Sequence, residues 1–147
     1  MIITNMEGDL VDIPFDTLNN IDLCDFSFHR YYFEDVKVEK SRVNRCDFRN
    51  ASMKKISIQD TEVRDSILVM IEIHDAIIRS CDFSNEYLAF CMFSNVDFSY
   101  TDFNKSIMKN NTFIKCNFNN ANLNCKEMID CRFEDCICNT GTYWNKK

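Results

Sequence analysis

Glycine and proline are almost missing from this chain of 147 residues: it has two Gly and one Pro, and Gly8, Pro14 and Gly141 all lie near the ends. That scarcity excludes phosphate-cradling glycine loops, dinucleotide fingerprints, collagen and low-complexity linkers. A basic excess is missing too. Seventeen Lys and Arg stand against 23 Asp and Glu, a formal net charge of −6, which argues against direct binding of nucleic-acid phosphates. No run approaches the ~18–20 consecutive apolar residues of a membrane span. The start, Met1-Ile-Ile-Thr-Asn-Met-Glu, lacks the basic region of a signal peptide. A cytoplasmic protein without membrane contact is expected. Its wealth of Ile, Asn, Lys and Phe suggests A/T-rich codons and a bacterial source.

What is present is apolar and periodic. The chain is 46% hydrophobic with 13 Phe, enough for the core of one domain. Stepping by five from Ile13 to Phe133 meets only Ile, Leu, Val, Met or Phe at 25 positions. At this composition, chance gives such a run with a probability on the order of 10⁻⁹. Five fits neither the helical nor the strand period. It does fit a short strand and a corner, with the large residue (position i) and the residue two before it both facing inward. The i−2 positions are mostly small: Ser41, Cys46, Ala51, Thr61, Ser66, Ala76, Cys81, Cys91, Thr101 and Ser106. The i+2 positions are rich in Asn and Asp, from Asn50 and Asp60 to Asp130 and Asp135, residues that tolerate unusual turn dihedrals.

Cys46-Asp47-Phe48, Cys81-Asp82-Phe83, Thr101-Asp102-Phe103, Cys116-Asn117-Phe118 and Ala121-Asn122-Leu123 resemble the A-[D/N]-[L/F]-x-x consensus of pentapeptide-repeat proteins. The resemblance implies an all-β fold, a right-handed quadrilateral parallel β-helix with four pentapeptides per coil. About six coils are expected, spaced ~4.8 Å along the axis, with short caps against edge-to-edge growth. Residues 1–20 are expected as the N-terminal cap, with a helical turn after Pro14. Residues 21–138 are expected as the solenoid and 139–147 as the C-terminal cap, Tyr143-Trp144 covering the last coil. The i−2 position departs from the consensus at Val36, Ile56, Ile71, Glu86, Asn111 and Lys126. At Glu86 a locally distorted corner is expected to turn the carboxylate outward.

Chemistry is sparse. Six of the nine cysteines, Cys46, Cys81, Cys91, Cys116, Cys131 and Cys136, fall at the small inward position and read as core fillers. The Cys125, Cys131, Cys136, Cys138 group is split between different sides, so no metal is expected. Cys116 and Cys136 stack on adjacent coils and are the best candidates for a disulfide, although free thiols are expected. His29 and His74 point outward on different sides and join no catalytic constellation. No enzyme activity and no cofactor are expected.

Two surfaces stand out. Glu62, Asp82 and Asp102 share one column with no positive residue in the run, and Asp97 lies on the preceding side. Repeat structure alone places Asp or Asn there. The resemblance to quinolone-resistance members of the family implies an alternative, a DNA-mimicking rod that occupies DNA gyrase or another type II topoisomerase. The second surface is apolar. On the side built on Phe48, Leu68, Leu88, Met108 and Met128, the outward residues are Ile67, Val69, Met70, Tyr87, Ala89, Phe90 and Ile107. These form the expected face for a protein partner or a homodimer, with Arg49, Lys109 and Asp130 as a polar rim.

Overall fold

A computed structural model describes residues 2–5, 7–10 and 18–139. The expected helical turn after Pro14 and the Tyr143-Trp144 cover lie outside the described residues. Within them there is no helix; short strands wind into a parallel β-helix of about six turns. Residues pair with partners 20 positions away on the next coil, as in Leu23↔Val43↔Val63 and Phe93↔Phe113↔Phe133. Four pentads therefore complete one turn, and each pentad lays one rung on one of four faces.

The corners explain the period. Every fifth residue from Asn20 to Asp135, except Cys125, has a left-handed φ between 50° and 65°. No glycine occupies any of them. Main-chain bonding between coils holds these conformations: Asn50 N–H donates to the Val69 carbonyl at 3.2 Å, and Phe90 N–H to Lys109 at 3.0 Å. Asn and Asp accept this geometry at little cost. The Asp or Asn before the large residue has a structural task as well. Asp47, Asp82, Asp97, Asp102, Asn117 and Asn122 each accept, through Oδ1, the main-chain N–H two residues on, at 2.8–3.0 Å. The repeat consensus is thus a turn device.

Inside, large residues stack along the axis. Phe93, Phe113 and Phe133 lie nearly parallel with ring centroids 5.0 and 4.8 Å apart. Phe98–Phe118 and Phe83–Phe103 follow at 5.3 and 5.6 Å. All seven of these rings are buried, as their spacing predicts. Adjacent faces meet edge to face, as at Phe93–Phe98, the geometry ring quadrupoles favour.

The small inward residues form a second ladder. Thr101 Oγ1 donates to the Ile78 carbonyl 23 residues earlier and accepts the N–H of Cys81, 20 residues earlier. Asn111 repeats the pattern, donating to Leu88 O and accepting from Cys91 N–H. Ser41 donates to Leu18 O, and the thiols of Cys46, Cys81, Cys91, Cys116 and Cys136 reach the corresponding carbonyls. Small donors dominate this position, although Val36, Ile56 and Ile71 are buried there too without a side-chain donor. Asn111 fits because its amide does both.

One departure resolves differently from expectation, and another breaks the ladder. Glu86 is not turned out: it is buried, 4% exposed, and its corner at Asn85 keeps the regular left-handed φ. The break comes at Lys126, which is exposed. The preceding corner at Cys125 lacks the left-handed φ, and the Lys126 N–H turns back to the Ser106 carbonyl at 2.8 Å. A carboxyl is short enough to stay in the ladder, whereas a Lys ammonium at that position leaves the core to keep its hydration. At the other end, the strand Ile2–Asn5 pairs antiparallel with Tyr31–Glu34. It covers a sheet edge that would otherwise template further pairing.

Candidate functional site

The strand Tyr87–Ala89 lies between Leu68–Val69 below and Ile107–Lys109 above. Its face carries Ile67 and Tyr87, 42% and 44% exposed, beside the corner residues Met70 and Phe90, 50% and 57% exposed. Val69 and Ile107 are half-buried. Ala89 is a correction: it is buried. Its register partners are Val69 and Lys109, and a methyl group is too short to reach past them to solvent. Two further exposed residues extend the patch: Met92, just beyond the Phe90 corner, and Ile129, above Lys109 in register. Reading one side of the square at a time misses Met92, because the patch bends around the corner. The rim is ionic, with Arg49 on Asp47 at 2.7 Å and Lys109 on Glu127 at 3.5 Å.

The corner residues carry a second signal. Of the described corner residues with left-handed φ, only Met70, Phe90 and Tyr100 are large and apolar or aromatic; the others are Asn, Asp, Lys, Arg and Ser. Side chains bulky at Cβ and beyond fit this conformation poorly. Met70 and Phe90 adjoin in one corner column, whereas Tyr100 lies between Ser80 and Asn120 in another. A locally unfavourable choice thus recurs on adjacent coils of this face.

The acidic column stacks as expected, through the Glu62↔Asp82 and Asp82↔Asp102 bridges. It is not free of positive charge. Arg64 Nη2 lies 3.0 Å from Glu62 and 2.5 Å from Asp82, and Arg42 is 3.4 Å from Glu62. The Arg64 hydrogen bond holds the Asp82 carboxyl down to about 2. Asp97 pairs with Arg79 at 2.5 Å. The Arg64–Asp82 and Arg79–Asp97 pairs span 18 residues, a diagonal between coils that a column read at 20-residue spacing does not include. Arg42, by contrast, lies 20 residues from Glu62 in the column itself. Asp82, Asp97 and Asp102 also perform the turn bonding described above.

Glu86 lies inward between Ser66 and Ser106 in its column, next to the strand that carries Tyr87. Burial pushes its carboxyl up to about 7, against the pull of the Asp65 and Ser66 N–H groups and of Arg64; Asp65 adds to the rise. Its ladder carbonyl would be that of Val63, which receives Arg64 Nη1 at 3.2 Å. Only the protonated acid can donate as the neighbouring Ser, Thr, Asn and Cys side chains do.

The cysteines behave as packing residues. Cys46, Cys81, Cys91, Cys116, Cys131 and Cys136 are buried, and no pair among the described residues is joined in a disulfide. Burial pushes the Cys81 thiol up to about 12 and that of Cys91 to about 11, the direction of an unreactive thiol. Among the described residues no three His, Cys, Asp or Glu side chains converge as a metal site. Among the described residues no helix is long and apolar enough to cross a membrane. His74 faces Glu72 at 3.8 Å on the surface.

A family model for pentapeptide repeats matches residues 73–110 and 91–124, with eight copies of the repeat. No curated protein matches the sequence. Several solved structures are similar at low identity. QnrB1, a plasmid-mediated fluoroquinolone resistance protein, is 15% identical over 80% of this chain and 70% of its own, with a TM-score of 0.28. Rfr23, a pentapeptide repeat protein of the cyanobacterium Cyanothece 51142, is 8% identical over 88% of both chains, TM-score 0.27. HetL, a pentapeptide repeat protein involved in heterocyst differentiation regulation in the cyanobacterium Nostoc, is 10% identical over 86% of this chain and 90% of its own, TM-score 0.23.

Proposed function

The chain belongs to the pentapeptide-repeat family, and on that premise we propose that it is a non-enzymatic interaction rod. It engages a protein partner, or a second copy of itself, through the face of Ile67, Met70, Tyr87, Phe90 and Met92. The carrying observation is the exposed apolar band that turns the corner at Met70 and Phe90, with paired charges around it. Aromatic and Met side chains ringed by polar groups are the composition of interface centres. A cytoplasmic location suits buried thiols that stay reduced.

Mimicry of DNA at a topoisomerase is the weaker reading. Steering by charge needs a sustained field of one sign, and Arg42, Arg64 and Arg79 interrupt it. The purified chain is expected to leave gyrase supercoiling unaffected. Dose-dependent inhibition that Asp82→Lys with Asp102→Lys abolishes would reverse the ranking. The preferred reading is tested with Tyr87→Lys and Phe90→Asp together. Circular dichroism is expected to show an intact β-helix, while light scattering loses a dimer or a pull-down loses its partner. Wild-type behaviour in both assays would make this face ordinary surface.

A further inference from the structure

The rod is packed unevenly along its length. In the coil of Phe98, Phe103, Met108 and Phe113, three of the four large inward residues are aromatic. In the coil of Ile58, Val63, Leu68 and Ile73 none is, and below it Val38 and Val43 occupy two of the four sides. Four faces fixed at the same separation by the same corners leave the same interior to fill. Side chains that stop at a γ-methyl leave part of it empty. The structure shows that space as a narrow, partly open apolar channel of about 110 Å³ in total, lined by aliphatic and phenylalanine side chains from Leu18 to Phe103.

The lining decides what can occupy it. Thr61 carries the only side-chain hydroxyl among the lining residues. That hydroxyl donates to the Gln59 carbonyl at 2.9 Å and accepts the Ser41 N–H at 3.4 Å. The main-chain groups around it are engaged in the coil-to-coil ladder. A buried water needs two to four polar partners, and apolar cavities of about 150 Å³ in other proteins stay dry and take benzene or xenon. We infer that this apolar channel, widest where the inward residues are aliphatic, is a dry binding site for small non-polar molecules, xenon or a hydrocarbon smaller than benzene, independent of the outer apolar face.

Xenon itself is the probe. Titration of the full chain, followed by ¹²⁹Xe NMR, is expected to show a saturable bound component. Val63→Phe puts a ring into the space and is expected to weaken that component at least tenfold. Val43→Leu with Val63→Leu is the gentler filling and decides the matter if the phenylalanine variant does not fold. Met70→Asn with Phe90→Asn, on the outer face, is expected to leave xenon binding unchanged. No saturable component in a chain folded by circular dichroism would overturn the inference. So would binding that survives in a folded filled variant, or binding that the outer-face variant removes.

Discussion

Glu86→Gln should convert a pH-dependent rod into a pH-insensitive one over the neutral range. In the native state burial raises this carboxyl to about 7 from an ordinary 4.5. The native chain therefore holds a proton that the unfolded chain has lost between those values. Stability from this group is fully present below about pH 4.5 and is lost as pH rises through about 7. At 1.36 kcal/mol per pKa unit the full shift corresponds to roughly 3 kcal/mol. Solvent screening beside the exposed Asp65 corner reduces it to about 2 kcal/mol. That is a sizeable share of the ~5–15 kcal/mol that holds a domain folded. Glutamine keeps the shape, accepts the Ser66 N–H and donates to the Val63 carbonyl at every pH, as Asn111 does one face away. Urea unfolding of both proteins under reducing conditions, from pH 5 to 8.5, isolates the effect, since every other titrating group is shared. The two should be within about 0.5 kcal/mol at pH 5, and the glutamine variant about 2 kcal/mol more stable at pH 8.5. A stability difference that does not change with pH would refute the reasoning.

Replacing Met70 and Phe90 with Asn should stabilise the fold by about 0.5–1 kcal/mol each, because Asn accepts the left-handed corner more readily. The same pair should weaken association, so loss of stability in thermal unfolding would contradict the reading of these corners. Phe113→Ala removes a fully buried ring stacked on both sides and should cost about 3–5 kcal/mol in urea unfolding. Thiol titration of the denatured chain, prepared anaerobically, should count all nine cysteines. Seven, with Cys116 linked to Cys136 by mass spectrometry, would show a disulfide.

The five-residue period makes the solenoid readable because one physical cause, a left-handed corner, recurs at fixed spacing. Phe93, Phe113 and Phe133 stack simply because they are 20 apart. What the period does not encode is how side chains of different length share the space between rungs. Ala89 has the position of a surface residue but is hidden by the reach of Val69 and Lys109. Arg64 neutralises Asp82 along a diagonal of 18 residues rather than down a column. The ladder of inward donors is visible only once carbonyls 23 residues back are in place. That ladder explains why Glu86 stays in while Lys126 leaves. Met92 joins the apolar band from the neighbouring side because the band continues around the Phe90 corner.

The central claim is that one edge of the rod meets a partner, and a photocrosslinker placed there reads it directly. Phe90→p-benzoylphenylalanine should give one discrete adduct, either a dimer with purified chain or a single heavier species in a lysate of the source cells. Tyr100→p-benzoylphenylalanine, equally exposed at another corner, should give none. A discrete adduct from position 90 alone is the predicted result; no adduct from position 90, or the same adducts from both corners, would contradict it.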